Sequence, residues 1–256
     1  MSSLKSFPIE DSKKKIRDEL DKLKAKGLTE PIRSHLHDVD CTWRYGSKPD
    51  YTIADYEFIT GKTQNHSEGS LEKIVEDLVK TWEMESSHKS EVNEWKTIEQ
   101  EDGVYHLSAN NWKSYDKKEA IIAGNYNVLM HGCPKSIWDT ESYSFEDSHH
   151  LIRNSFKAFP WEVLKVLSPP PTVTFTWRHW GKFTGNYKGN EGKGELLEMF
   201  GFAIARVSPD LKIEDIKIFY DPDSFIQALE GKTDAKELSC AKKLIGDVSC
   251  PFISKS

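Results

Sequence analysis

No stretch of the 256 residues approaches the roughly 18 apolar residues that a membrane-spanning helix requires. Basic charge is short as well. Thirty-five Lys and Arg stand against 41 Asp and Glu, a formal net charge of −6 with no long basic run. That balance argues against a nucleic-acid binder and against a polybasic membrane-surface protein. Cysteine is scarce: Cys41, Cys133, Cys240 and Cys250 are scattered without a C-x-x-C pair. A zinc knuckle or thioredoxin-type centre is therefore not expected, and four free thiols are. A catalytic triad, a phosphate loop, an H-E-x-x-H helix and a calcium loop are also missing, so neither a metal nor a cofactor is expected. Met1-Ser2-Ser3-Leu4-Lys5 carries no apolar leader segment, which makes a cytoplasmic location the expectation.

What the chain does have is aromatic bulk. Hydrophobic residues make up only 37%, but 8 Trp, 12 Phe and 9 Tyr are enough to build a packed core. Residues 1–30 are charge-rich, with Ile16, Leu20, Leu23 and Leu28 forming a weak helical stripe; they read as a solvated N-terminal extension. Residues 31–69 hold Trp43, Tyr45, Tyr51 and Tyr56, too many rings for a linker, so this segment is expected to pack on the core. The domain proper spans 70–230, and 231–256 is a polar tail.

Within the domain, Ser70 is a natural N-cap ahead of Leu71, Ile74, Val75, Leu78 and Trp82, spaced as on one helix face. Val92 to Glu99 and Val104 to Ala109 flank Asp102-Gly103 and predict a hairpin. Asp116 and Glu119 predict a capping box opening a second helix through Ile121, Tyr126 and Leu129; a third follows at about 146–156. From Trp161 the period changes to two. Strands are predicted at 161–167, 172–180, 195–207 and 213–220, with connections short enough for antiparallel pairing. The class is α+β, helices on one face of a curved antiparallel sheet.

Alternation places Val173, Phe175, Trp177 and His179 on the inner face of their strand. It groups Leu196, Glu198, Phe200, Phe202 and Ile204 on one row, which makes Glu198 an acid in an apolar setting. Ile216, Ile218 and Tyr220 share the inner face of the last strand. Each polar residue has a plainer reading. His179 could bond a backbone carbonyl, Glu198 could reach water, and Trp82 could be simple core. His149-His150 looks like a metal pair, but adjacent helical residues point about 100° apart.

Several blocks in order resemble the plant-type pathogen-related proteins. They are Trp43-Arg44-Tyr45-Gly46, Lys80-Thr81-Trp82-Glu83-Met84-Glu85, Phe159-Pro160-Trp161-Glu162, Trp177-Arg178-His179-Trp180-Gly181 and Phe219-Tyr220-Asp221-Pro222. The resemblance covers about 32–230 and implies the SnoaL-like branch of the nuclear transport factor 2-like superfamily, whose curved sheet is closed by helices into a cone. The His-containing turn of that group matches Arg178-His179-Trp180-Gly181. Its final strand often points an acid or Trp into the cone, where this chain has Ile216, Ile218 and Tyr220.

Three functions compete on this reading. One is binding of a small apolar or aromatic molecule, in defence or secondary metabolism, against Trp82, Phe175, Trp177, Phe200 and Ile218. A second is a cofactor-free isomerase, cyclase or dehydratase with His179 as base and Glu198 or Tyr220 as acid. The third is a protein-interaction scaffold whose cone is plugged by its own side chains. The partner expected is a small-molecule ligand, with a homodimer left open. An open cavity with a His–acid pair would favour the enzyme; an open apolar one would favour binding.

Overall fold

The computed structural model describes residues 9–233; Cys240, Cys250 and the tail beyond Thr233 lie outside the described residues. Cys41 is half-buried and Cys133 buried, both as free thiols.

The first helix, α1 (Ile9–Ala25), corrects an expectation: it is not merely solvated. Leu20 is buried, and Ile16 and Leu23 pack beside it against Phe58 and Ile59 of α2 (Thr52–Gly61) and against Trp180. The weak stripe suffices because α2 offers an apolar surface next to the sheet. Gly61 ends α2 where a Cβ would lie 2.5 Å from the Trp180 indole nitrogen, so glycine permits the contact.

Helix α3 (Leu71–His88) starts at Ser70, whose hydroxyl accepts from the Lys73 N–H, and buries Val75, Val79 and Trp82. The predicted hairpin after it does not form. Val92–Glu94 is a short 3-10 turn, and Ile98 makes a lone parallel bridge to Ile213. The cause is Glu85, fully buried, whose carboxylate accepts the Lys96 and Thr97 N–H groups that a hairpin ladder would have used. The next strand, β1 (His106–Ala109), instead pairs antiparallel with β2 (Tyr115–Asp116).

The capping box of Asp116 and Glu119 is present and opens α4 (Lys117–Ala123). That helix stops at Gly124, where φ is +78° and a Cβ would meet the Phe145 ring at 2.7 Å. What the spacing reads as one helix is therefore two, the second being α5 (Asn125–Leu129), followed by α6 (Phe145–Arg153).

Four strands then build the sheet: β3 (Trp161–Ser168), β4 (Thr172–Phe183), β7 (Glu195–Val207) and β8 (Ile213–Tyr220). A small ribbon of β5 (Asn186–Tyr187) and β6 (Asn190–Glu191) interrupts them, and α7 (Pro222–Leu229) closes the described chain. The six-stranded order is β2-β1-β8-β7-β4-β3, antiparallel throughout except that β1 runs parallel to β8. Register shifts in β3 and near Arg206 bend it.

The β4–β7 register decides which residues face inward. His179 lies opposite Met199, Phe175 opposite Ala203, and Trp180 opposite Glu198. Directly paired residues share a face. Glu198 and Phe200 therefore sit on the outer face with Trp180 and Arg178, not beside His179. The inner row of β7 is Leu197, Met199, Gly201, Ala203, Ala205 and Val207. The sequence misleads here because the bulkier side chains lie on the outer row. Their inner counterparts are small, and that is what leaves space under the helices.

Candidate functional site

That space is a cavity of about 960 Å³ between the concave sheet and α3, α5 and α6. Its inner wall is Phe175 and Trp177 of β4, Met199 and Ala203 of β7, and Ile216, Ile218 and Tyr220 of β8. Trp82 and Val79 of α3 lie across from them. Gly201 lies opposite Tyr220 and Trp177 in the register; a Cβ there would overlap the Trp177 indole. Trp82 donates from its indole N–H to the Tyr105 hydroxyl at 3.0 Å, which fixes the ring as wall rather than as a mobile platform.

At the open end the cavity meets Tyr45, Lys48, Asp50, His150, Arg153 and Lys157, all exposed. This end is shaped by the segment before α2, which crosses the C-terminal end of α3. Tyr45 and Tyr51 meet His88 edge-on, each with ring centroids 5.9 Å apart. His88 lies on the side of α3 away from the Val79 stripe, and it borders the cavity because this segment adds a second wall there. Arg33 holds the wall in place: its guanidinium lies 3.6 Å from the Tyr51 ring centroid and donates to Asp55 at 2.9 Å.

Of the residues expected to do chemistry, only His179 keeps an uncommitted nitrogen at the cavity, while its ring also bonds the Pro160 backbone. Its ring stacks on Phe159 at 3.8 Å, and its Nδ1 is buried without a hydrogen-bond partner. Burial, helped by the Lys80 ammonium, pushes its pKa down to about 3, so the imidazole is neutral. The Tyr220 hydroxyl is already committed, donating to the Leu129 carbonyl at 3.0 Å, and burial holds its pKa well above the usual phenol value.

Glu198 belongs to a different structure altogether. Arg178 Nε donates to it at 2.7 Å, and Arg178 Nη1 donates to Glu162 at 2.8 Å and to the Gly61 carbonyl at 3.0 Å. Glu162 also accepts the N–H groups of Thr63 and Gln64. These four elements of chain form a buried ion network on the outer face.

Besides the exposed His150, two more histidines border the cavity. His149 of α6 lies flat on Phe145 at 4.1 Å and edge-on to Tyr126 at 4.9 Å. Burial pushes the pKa values of His88 and His149 down to about 4, with Arg153 adding to it in both cases. His88 Nδ1 and His149 Nε2 are buried and unpartnered. The sequence suggests for His149 only an apparent metal pair with His150, and it gives His88 no role. The aromatic crowding at 43–56 hinted at a second wall, whereas only the fold brings His149 to it. Among the described residues, no group of three or more His, Cys, Asp or Glu side chains is placed to hold a metal ion. Nor is any helix among them long and apolar enough to cross a membrane.

The "Pathogen-related protein" of Hordeum vulgare is 33% identical over 211 residues, 79% of this chain and 89% of the relative. The chain belongs to the pathogen-related protein family. No family model matches it. Solved structures similar to it include a candidate SnoaL-like polyketide cyclase from Jannaschia sp. CCS1, 12% identical with a TM-score of 0.38, covering 65% of this chain and 96% of that one. Another is a Catenulispora acidiphila protein with a ketosteroid isomerase-like fold, 10% identical with a TM-score of 0.36, covering 62% of this chain and 95% of that one. Family membership rests on the barley relative. The expected class, an α+β fold with a curved sheet closed by helices, is the one observed.

Proposed function

We propose that this pathogen-related family member binds a small apolar or aromatic molecule in the cavity, in the service of defence or secondary metabolism. One observation carries the reading. The space of about 960 Å³ is open and walled largely by aromatic and aliphatic side chains, with neither Glu198 nor Tyr220 free to pair with His179. Small-molecule sites typically measure about 300–1,000 Å³ and have this makeup. The size also speaks against a plugged scaffold. The cyclase or isomerase reading loses the pair it relied on, since Glu198 faces outward and Tyr220 already donates to backbone.

The test is a melting series with polycyclic aromatic compounds. A compound present at about a hundredfold its Kd should add roughly 2.7 kcal/mol to the native state. The same compound should leave the melting curve of Ile218→Trp unmoved, because the larger ring occupies the inner end. A panel that shifts neither protein, or both equally, would overturn the proposal.

A further inference from the structure

We infer that the cavity selects an uncharged aromatic ligand carrying a hydroxyl, and that His149 Nε2 is the acceptor for that hydroxyl. The inference rests on the binding function proposed above and specifies its ligand.

The argument begins with a tautomer. His149 Nδ1 lies 2.9 Å from the Phe145 carbonyl, which can only accept, so Nδ1 carries the ring proton. Nε2 is left with a lone pair. It is buried, no group among the described residues donates to it, and its ring borders the cavity. The ring cannot turn freely to find a partner. Phe145 lies parallel beneath it with only 9° between the planes, and Tyr126 abuts its edge. A fixed, buried acceptor at a ligand cavity is satisfied by a ligand that brings an O–H or N–H.

The surrounding charge narrows the choice further. Arg153 and Arg44 are the cations whose field acts on this ring and Glu146 is the acid, itself paired with Arg44 at 3.4 Å. Two cations against one anion disfavour an ammonium ligand. An ionised carboxylate is acceptor-only and would face the Nε2 lone pair with lone pairs of its own. A neutral hydroxyl on an aromatic frame meets both conditions, and the inner wall of Phe175, Trp177, Met199 and Ile218 receives the frame.

The experiment compares hydroxypyrene with its methyl ether, followed by pyrene fluorescence in wild type, His149→Phe and His149→Gln. Phe keeps the stack on Phe145 and removes the acceptor; Gln supplies a different one. In wild type, hydroxypyrene is expected to bind about tenfold tighter than the ether, the scale of one buried hydrogen bond. His149→Phe should bring the two within about twofold, and His149→Gln should recover part of the gap. Melting curves check that each variant is folded, and if His149→Phe is not, the Gln variant is read alone for a reduced gap. Equal binding of the two probes by wild type would overturn the inference while leaving the cavity as a binding site. A gap that survives His149→Phe would overturn the assignment to His149. Saturable binding of neither probe would instead sink the binding function itself.

Discussion

Glu162→Gln should destabilise the protein by roughly 3–5 kcal/mol, read as a lower urea midpoint. The side chain is fully buried, and its two oxygens accept from the Thr63 N–H at 2.7 Å, the Thr63 hydroxyl at 3.0 Å, the Gln64 N–H at 3.0 Å and Arg178 Nη1 at 2.8 Å. Gln has one acceptor oxygen in place of two and sets an NH2 against donors. It also leaves the Arg178 guanidinium buried with Glu198 as its sole carboxylate partner. Breaking one side of a buried pair is what makes the loss large; the intact pair adds far less than that figure. Glu198→Gln serves as the comparison. Glu198 bonds Arg178 through Nε alone and is slightly more exposed, so its loss should be clearly smaller. The network also has a functional consequence. It fastens the chain between α2 and α3 to β3 and β4, the strands that carry Trp161, Trp177 and His179 to the cavity. A loss under about 1 kcal/mol for Glu162→Gln would show that the network is peripheral.

The second large effect is acid sensitivity above the carboxylate range. His88, His149 and His179 have native pKa values pushed down to about 4, 4 and 3. In the unfolded chain each titrates near about 6.5. Above that pH both states are neutral and the three rings contribute nothing to the pH slope. As pH falls below it the unfolded chain takes up protons that the native state refuses, and stability declines until the native pKa is reached. At pH 5 the loss is about 2 kcal/mol per ring. Asp55 and Glu76 act in the opposite sense, since burial raises their native pKa values. Their protonation in the native state offsets part of the decline. A pair of variants isolates the histidines: the melting temperature of His149→Phe and of His88→Phe should fall less steeply from pH 7 to 5 than that of wild type. Parallel slopes would mean that these rings are protonated in the native protein.

The sequence specifies some of these elements far more closely than others. Helix α3 and strands β7 and β8 could be read to the residue, because a Ser cap and strict alternation leave little choice. The capping box at Asp116 was equally plain. The hairpin failed because the backbone donors at Lys96 and Thr97 go to a side chain, Glu85, that sits on another element. Local turn chemistry carries no trace of such a partner. For the site, His179, Trp177, Phe175, Trp82, Ile218 and Tyr220 were placed on the inner surface by periodicity, and all border the cavity. The row containing Glu198 and Phe200 was assigned by bulk, and bulk points the wrong way where a strand leaves a cavity. Gly201, Ala203 and Ala205 are the real inner signature, a run of small residues on alternate positions. His88 and His149 depend on a segment thirty to a hundred residues away in sequence, so no window of the chain could have joined them.

The central claim is that the space under the sheet is a ligand site, and pyrene itself tests it most directly, since it has no polar group to confound shape with hydrogen bonding. Titrated into wild type and Ile218→Trp, with melting curves for both, it should bind wild type saturably at one site and the variant at least tenfold more weakly, at similar melting temperatures. Equal affinity for the two proteins, or no saturable binding by wild type, would contradict the account.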